Sequence, residues 1–259
     1  MFEFINCFCP TFLAFFGGLF SFFITILGSS LVFFFKTINK NNMNVLISIS
    51  AGIMFSASFF SLLSPAIKNC SNLNQSFFIN VISGFIIGGL FILICNRLID
   101  KTNIKKYSGL KKEILLFSSI TLHNIPEGIA IGVAFGNIIY GGSLNAAISL
   151  TLGIAMQNFP EGAAISLPLR RESLSSKKAF FLGSISGIVE PIFAIIGALL
   201  MIKIQYLLTF ILCFAAGAMI FVTVFDLIPE SQSSEKKDLM ALLFIIGFVI
   251  MMMFDVLLG

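Results

Sequence analysis

Two short stretches of this chain carry residues that can bind a metal ion, and they are copies of one motif. The first is His-Asn-Ile-Pro-Glu-Gly at 123–128, and the second is Gln-Asn-Phe-Pro-Glu-Gly at 157–162. Aligned from Ile120 and Ile154, 7 of 12 positions are identical, and His123 is the only histidine in the 259 residues. Because imidazole and carboxylate groups suit Zn²⁺ and similar divalent ions, the doubled motif predicts a site for such a metal.

The spacing within each copy places its polar side chains on one face of a helix, since residues three and four apart are neighbours there. His123 and Asn124 therefore lie one turn before Glu127. The second copy repeats this arrangement with Gln157, Asn158 and Glu161. Each copy also contains a proline, which lacks an N–H and kinks a helix. We expect two kinked helices that face each other across a polar pocket.

Both copies lie within strongly apolar segments. A carboxylate at the centre of a bilayer costs roughly 2.5–3.5 kcal/mol on insertion scales, so it is by default a candidate for function. The alternative is that Glu127 and Glu161 are structural and hydrogen-bonded across a helix pair. The polar side chains one turn before each glutamate, present in both copies, favour the metal site.

The composition indicates a polytopic membrane protein. The chain is 58% hydrophobic and 11% charged, whereas soluble domains carry about 25% charged residues. The five cysteines are scattered and show no zinc-ribbon spacing. The net charge of +4 does not indicate a nucleic-acid partner, and no nucleotide-binding motif occurs.

Apolar runs of about 20 residues predict eight transmembrane helices in one all-α domain covering 1–259. The expected ranges are 12–35, 45–67, 77–95, 114–135, 144–169, 179–202, 207–229 and 239–258. The fourth and fifth contain the motif copies, and the first three contain no charged residue. Each of the last five contains at least one acid, the first in each being Glu127, Glu161, Glu190, Asp226 and Asp255.

The basic residues predict the orientation. The connections after odd-numbered helices hold 14 of the 16, and only Lys68 and Lys203 lie on the other side. By the positive-inside rule, those connections are cytoplasmic and both termini are extracellular in a multi-pass cell-membrane protein. The 14 are Lys36, Lys40, Arg97, Lys101, Lys105, Lys106, Lys111, Lys112, Arg170, Arg171, Lys177, Lys178, Lys236 and Lys237.

A second, fainter repeat relates other helices. Ala-Gly-Ile-Met at 51–54 resembles Ala-Gly-Ala-Met at 216–219. Both repeats relate oppositely oriented helices, the inverted-repeat pattern of transporters, whose sites lie near the bilayer midplane. His123, Gln157 and Glu190 lie about 16 to 21 Å along their helices, near the middle of a core about 30 Å thick. Three separate segments thus place side chains of metal-binding types at a similar depth in the membrane.

At these residues the chain resembles the ZIP family of divalent metal transporters, and within it the GufA-like branch. Besides the doubled motif, the matching pieces are Gly-Ile-Val-Glu-Pro at 187–191, Ala-Gly-Ile-Met-Phe-Ser-Ala-Ser-Phe-Phe-Ser-Leu-Leu at 51–63 and Asp-Leu-Ile-Pro-Glu-Ser at 226–231. The resemblance covers all eight predicted helices. It implies a homodimer with a two-metal site between the second, fourth, fifth and sixth helices.

The resemblance also implies the ligands. The first metal position would be held by His123, Glu127, Gln157, Glu161 and Met54. The second would be held by Asn124, Asn158 and Glu190, with Glu127 and Glu161 bridging the two metals. A plain packing role is the alternative for Met54. Many members have His where Gln157 stands and some have Asp at position 158, so this site has less charge and fewer nitrogen ligands.

Three further residues are expected along a transport pathway: Ser61, Asp226 and Glu230. The alternative for Asp226 and Glu230 is that they end a helix at the cytoplasmic surface. The lysine cluster between 97 and 112 sets the topology or meets lipid head groups. It contains no histidine, unlike the His-rich loop that the family often has there.

The leading hypothesis is a secondary transporter and not an enzyme. It would bind Zn²⁺, or a related ion such as Fe²⁺, Mn²⁺, Co²⁺ or Cd²⁺, and carry it across the bilayer into the cytoplasm by alternating access. One rival is a passive divalent metal channel. Another is an intramembrane zinc metalloenzyme, which would want a His-Glu-x-x-His motif and a zinc-bound water. With a single histidine, the chain has no such motif.

Overall fold

The computed structural model describes residues 2–35, 40–72, 76–101, 111–171, 174–203 and 207–258. No strand occurs in these ranges, so the all-α prediction is confirmed. The α-helices are α1 (Phe2–Ser29), α2 (Leu31–Phe34), α3 (Lys40–Ala57), α4 (Ser64–Asn72), α5 (Ser83–Lys101), α6 (Lys111–Gly136), α7 (Leu144–Arg171), α8 (Ser176–Ile185), α9 (Val189–Lys203), α10 (Leu208–Val222), α11 (Ile228–Ser231) and α12 (Lys237–Leu258).

Short helical segments of other types link several of these helices. π-Helical segments join α3 to α4 (Ser58–Leu63) and α10 to α11 (Thr223–Leu227), and another (Phe78–Ile82) leads into α5. A 3₁₀ segment (Asn137–Tyr140) follows α6, and a second (Ser186–Ile188) joins α8 to α9. The chain therefore stays helical from α8 through α9, where Glu190 lies in the first turn of α9.

Six helical segments are long and apolar enough to cross a membrane. They are Pro10–Phe34, Asn41–Ser71, Phe78–Leu98, Ser176–Met201, Leu208–Ser231 and Lys237–Leu257. α7 is 28 residues long, but the polar residues of the second motif copy lower its mean hydropathy. α6 is 26 residues long, and its side chains are described only within 121–136. A multi-pass membrane protein is thus confirmed, and the count of eight spans stays a prediction.

The helix ends extend beyond the predicted apolar runs. α3 begins at Lys40 and α5 ends at Lys101, whereas the apolar runs start at 45 and end at 95. Apolar residues mark what lies in hydrocarbon, whereas helical hydrogen bonds continue past the apolar run, for example through the exposed Arg97. Several basic residues of the orientation argument lie outside the described residues, wholly or in their side chains: Lys36, Lys40, Lys101, Lys105, Lys106, Lys111, Lys112, Arg171 and Lys203.

The helices pack in two groups. In the first, α1 packs against α7 and α9, and α6 packs against α9. In the second, α3 packs against α12 and α5 against α10. α3 against α7 and α6 against α10 are the main contacts between the groups. The motif helices α6 and α7 therefore belong to one group and face the other.

The fainter sequence repeat has a packing counterpart. Gly52 of α3 lies against the carbonyl oxygen of Phe244 on α12, and Gly217 of α10 lies against the carbonyl oxygen of Phe85 on α5. At neither glycine is there room for a Cβ atom. Small residues let helix backbones approach closely in membranes, so the shared Ala-Gly pattern marks equivalent helix contacts.

Candidate metal centre

Both motif copies lie midway along their helices and are buried. α6 and α7 run through Pro126 and Pro160 as continuous α-helices. Asn124 and Glu127 of α6 are fully buried, and Glu161 of α7 is 4% exposed. His123 precedes Glu127 by one turn of α6, but its side chain lies outside those the structure describes. The predicted kinks stay a prediction.

The glycine that ends each copy lies against the backbone of a neighbouring helix. A Cβ on Gly128 would lie 2.7 Å from the carbonyl oxygen of Glu190. A Cβ on Gly162 would overlap the carbonyl oxygen of Thr25 on α1. In each copy the glutamate thus precedes a backbone contact, between α6 and α9 in one case and between α7 and α1 in the other. The motif therefore provides a close helix–helix contact as well as buried polar side chains.

The two copies meet through a hydrogen bond between side chains. The Nε2 of Gln157 donates to Oε1 of Glu127 at 2.5 Å, and both residues are fully buried. Glu127 also lies within electrostatic range of Glu161 and Glu190. Three carboxyl groups from three helices thus lie near one another in a buried space, and a bound cation would offset the repulsion between their ionised forms.

Each asparagine of the motif is anchored by the helix beside it. Nδ2 of Asn124 donates to the backbone carbonyl of Ser186, just before α9, at 3.1 Å. Nδ2 of Asn158 donates to the hydroxyl of Ser21 on α1 at 2.9 Å. In both residues the amide nitrogen donates to the neighbouring helix, so the amide oxygen remains available to another partner.

The first turn of α9 and the middle of α1 meet at Glu190, which is fully buried. The hydroxyls of Ser21 and Thr25 lie beside its carboxylate, short of hydrogen-bond geometry. A Cβ on Gly187 would lie about equally far from Thr25 Oγ1 and Glu190 Oε1, at 3.0 and 3.1 Å. α1 therefore lines the centre, although it contains no charged residue after Glu3.

Seven buried oxygens of this centre have no hydrogen-bond partner within the described part of the chain. They are Asn124 Oδ1, Glu127 Oε2, Gln157 Oε1, Asn158 Oδ1, Glu161 Oε2 and both carboxylate oxygens of Glu190. An unpaired buried acceptor costs about 1–3 kcal/mol, and more when it is charged. Oxygens are the ligands that hard and borderline divalent cations prefer. The arrangement can therefore bind such a cation.

No group of three or more His, Cys, Asp or Glu side chains arranged to hold a metal is found among the described residues. Amide side chains are not among these four residue types, yet they supply three of the seven oxygens that have no hydrogen-bond partner. The side chain of His123 is not among those described. Amide oxygens are weaker ligands than imidazole or thiolate, so this centre differs from an ordinary zinc site in its ligand types.

Met54 is fully buried on α3, in the second helix group, and it packs within the main apolar core. One turn earlier, the Ser50 hydroxyl donates to the backbone carbonyl of Gln157 at 3.3 Å. Because residues four apart share a helix face, Met54 lies on the side of α3 that meets α7. Its position is compatible with either a ligand or a packing role.

The three expected pathway residues lie in other parts of the structure. Ser61, in the π-helical segment after α3, donates to Oδ1 of Asp255 on α12 at 2.6 Å. Asp226 is partly buried in the π-helical segment after α10, and Glu230 is exposed on α11. A pathway role for these residues stays a prediction.

Sequence reasoning missed the contribution of α1. Ser21, Thr25 and Ser29 recur every four residues and are all buried, whereas the other faces of α1 carry exposed phenylalanines. Ser29 donates to the backbone carbonyl of Gly162 at 3.2 Å. The i, i+4, i+8 spacing of these hydroxyl residues can be recognised in the sequence, because it predicts one polar stripe on an otherwise apolar helix.

A family model matches more than half of the chain. Residues 100–255 match the family model described as ZIP Zinc transporter. The matched region includes both motif copies, Glu190 and the described part of α12 up to Asp255.

Named relatives extend the similarity to nearly the whole chain. The zinc transporter ZIP11 of Xenopus tropicalis is 32% identical, with 98% of this chain and all of that protein aligned. The zinc transporter GufA of Myxococcus xanthus is 34% identical over 77% of this chain and 81% of that protein. The zinc transporter ZIPB of Bordetella bronchiseptica is 29% identical over 94% of this chain and 80% of that protein.

Proposed function

The chain belongs to the ZIP zinc transporter family, and on that premise we propose that it carries Zn²⁺ and related divalent cations across the membrane into the cytoplasm. The observation that supports the site is the set of seven unpartnered oxygens buried between α6, α7 and α9. Anionic and amide oxygens that lack donors in a membrane interior attract a partially dehydrated cation. Zinc is thus the substrate, bound in transit.

We assign the ligands to two neighbouring metal positions. His123, Glu127, Gln157, Glu161 and Met54 form the first. Asn124, Asn158 and Glu190 form the second, and Glu127 and Glu161 bridge the two. The close placement of Glu127 to Glu161 and Glu190 supports this division, because one ion would leave part of three carboxylate charges uncompensated. The second position has oxygen ligands only.

Release requires that the centre open to each side in turn, and the helix grouping supports a carrier. Most ligands lie in the group of α1, α6, α7 and α9, whereas Met54 lies on α3 in the other group. Movement of one group against the other would open the centre to one side at a time. The equivalent contacts of Gly52 and Gly217 support two structural repeats of opposite orientation. Ser61 and Asp226 would line the way in and out.

We further propose that the chain is one transport domain with eight spans. α6 and α7 are long enough to cross the bilayer and pack among the six apolar segments. Both termini would be extracellular, following the distribution of basic residues, and the protein would work as a homodimer, as the family resemblance implies. An intramembrane metalloenzyme has no support from the named relatives, which are transporters.

The test is metal flux into proteoliposomes that contain the purified chain. Zinc uptake should saturate with concentration and should be lost in Glu161→Ala, while Glu235→Ala, which removes an exposed acid, should transport normally. Measuring uptake with and without a pH gradient separates coupled from passive movement. Rates that rise linearly without saturation would indicate a channel, and no zinc movement by the unsubstituted protein would refute the proposal.

A further inference from the structure

The fainter sequence repeat continues into the backbone geometry of the two helices that carry it. The π-helical segment Ser58–Leu63 begins four residues after Met54, the last residue of the copy on α3. The π-helical segment Thr223–Leu227 begins four residues after Met219, the last residue of the copy on α10. The two helices therefore leave α-helical geometry at equivalent positions of the repeat.

A buried hydroxyl stands at the start of each of these segments and bonds to the carbonyl of the preceding methionine. The Oγ of Ser58 donates to the carbonyl of Met54 at 2.7 Å, and the Oγ1 of Thr223 donates to that of Met219 at 2.9 Å. All four residues are fully buried. Because a hydroxyl that bonds four residues back slightly destabilises an α-helix and often bends it, the same local cause acts in both copies.

The third π-helical segment, Phe78–Ile82, does not share this arrangement. No Ala-Gly-x-Met sequence precedes it. The hydroxyl beside it belongs to Ser83, which follows the segment and donates to the carbonyl of Ile79. A hydroxyl that begins a π-helical segment after an Ala-Gly-x-Met copy is therefore a feature of the repeat, and not of every π-helical segment in the described part of the chain.

Each segment of the repeat separates a long helix from a short one. The segment after α3 leads to α4, which has 9 residues, and the segment after α10 leads to α11, which has 4. Sharp bends in helices occur at π-bulges, which are frequent at functional sites. Since a hinge is a few residues that absorb a large change in backbone angles, a bend at either segment moves the short helix beyond it.

The two segments lie on opposite sides of the metal centre in the proposed orientation, in which α3 runs outward and α10 runs inward. Met54, an assigned ligand, directly precedes the turn that leads to the first segment. Ser61 and Asp226, assigned to the way in and out, occupy equivalent positions within the two segments. The inference drawn from this symmetry therefore rests on the proposed function.

We propose that the two π-helical segments are matched hinges of the carrier, and that Ser58 and Thr223 are positioning residues that keep them flexible. The hinge at Ser58 controls access to the centre from the extracellular side, and the hinge at Thr223 controls access from the cytoplasm. Neither hydroxyl touches the metal. Loss of one hydroxyl favours straight α-helical geometry in that segment, and so slows opening on that side alone.

The experiment measures access to the centre from each side of the membrane. The reporter is Gln157→Cys on a background that lacks the five native cysteines. A small impermeant thiol reagent is applied to intact cells or to inverted vesicles, and the rate of modification is measured. We expect Ser58→Ala to slow modification from the extracellular side roughly fivefold, the effect of one hydrogen bond. The rate from the cytoplasmic side should change less than about twofold.

Thr223→Val should give the reverse result, slower modification from the cytoplasmic side alone. Equal effects on the two sides, or no effect on either, would overturn the proposal, because a merely structural role has no preferred side. Ser58→Thr and Thr223→Ser keep the hydroxyl and should keep both rates. The matched control is Ser83→Ala, which removes the hydroxyl beside the third π-helical segment and should leave both rates unchanged.

A second measurement keeps Gln157 in place. The maximal rate of zinc uptake into proteoliposomes should fall roughly fivefold in Ser58→Ala and in Thr223→Val. Zinc affinity, measured in detergent by competition with a chromophoric chelator, should not change, since a hinge alters the rate of opening and not the ligands. A loss of affinity without a loss of maximal rate would overturn the proposal.

Two further outcomes are distinguishable. If Ser58→Ala does not fold, Ser58→Val and Ser58→Thr have the same shape and differ only by the hydroxyl, and equal modification rates in those two overturn the proposal. If the unsubstituted protein moves no zinc, the proposed function itself fails. If it moves zinc and the variants without a hydroxyl match it from both sides, only the hinges are refuted.

Discussion

The two motif copies share their geometry but not their chemistry. Each places an asparagine and a glutamate on one face of a helix and a glycine against a neighbouring backbone. The α6 copy begins with His123 and packs against α9, which adds Glu190. The α7 copy begins with Gln157 and packs against α1, which adds the hydroxyls of Ser21 and Thr25. A repeated scaffold thus carries two different sets of polar side chains.

The two copies share some residues and differ in others. Asparagine, proline, glutamate and glycine are the same in both copies, and the glycine lies against the backbone of a neighbouring helix. The first residue of the copy and the residues on the flanking helix differ, and in the proposed site these would set the charge and the ligand type. We expect substitutions of the shared residues to abolish function or folding, and substitutions of the differing residues to change selectivity.

The largest expected effect comes from the shared glutamates. Glu127→Gln and Glu161→Gln each keep the side-chain volume but remove a charge that we assign to both metal positions. We expect zinc flux in proteoliposomes to fall by more than the roughly 10- to 100-fold loss seen when only a residue supporting a ligand is removed. Glu235→Gln, an exposed acid outside the centre, is the control. Near-normal flux in either motif variant would mean that the carboxylates are structural.

The next largest effect is expected from substitutions of the shared glycines, which should lower the stability of the protein. An alanine at 162 would overlap the Thr25 carbonyl, whereas an alanine at 128 would meet the Glu190 carbonyl at 2.7 Å. We expect both to destabilise the protein by about 1–3 kcal/mol, as overpacking does, with Gly162→Ala the worse. The measurement is the midpoint of thermal unfolding in detergent.

The matched control for these glycines is Gly89→Ala on α5. The nearest atom to a Cβ there is 3.7 Å away, an ordinary contact, so the unfolding midpoint should barely change. If Gly89→Ala lowers the midpoint as much as Gly162→Ala does, close helix approach is not the reason that the motif ends in glycine.

A smaller effect is expected where the copies differ at their first residue. Gln157→His would replace a weak amide ligand by an imidazole, which suits Zn²⁺ better. We expect the apparent zinc affinity to rise on the order of tenfold, or about 1.4 kcal/mol, with weaker competition from Mn²⁺, Fe²⁺ and Co²⁺. Competition of unlabelled metals against zinc-65 uptake measures this. An unchanged affinity and order of competitors would show that position 157 is not a ligand.

The last prediction leaves transport unchanged and tests whether the copies run in opposite directions. On a background that lacks the five native cysteines, Ser143→Cys between α6 and α7 should react with an impermeant thiol reagent in intact cells. Lys177→Cys, after α7, should react only once the cells are opened. Both positions are exposed, so access depends on the side of the membrane. Labelling of Lys177→Cys from outside would overturn the orientation.

Much of the centre was predictable because its polar side chains follow helical spacing. The period of the helix puts Asn124 beside Glu127, and Asn158 beside Glu161, whatever else the chain does. The apolar surroundings of these residues made them candidates for function. The helix ends were less predictable, because hydropathy reports where hydrocarbon begins and helical hydrogen bonds continue past it, as in α3 and α5.

The all-α membrane architecture, the doubled motif and the family follow from the sequence, since each depends on composition or on residues a few positions apart. The partners of the two asparagines follow only from the packing of the folded chain. Asn124 meets Ser186, 62 residues away, and Asn158 meets Ser21, 137 residues away. The helix that packs beside a motif copy is determined by long-range contacts, which the spacing of residues along one helix does not encode. The direction in which an amide points depends on the donors and acceptors that this packing brings to it.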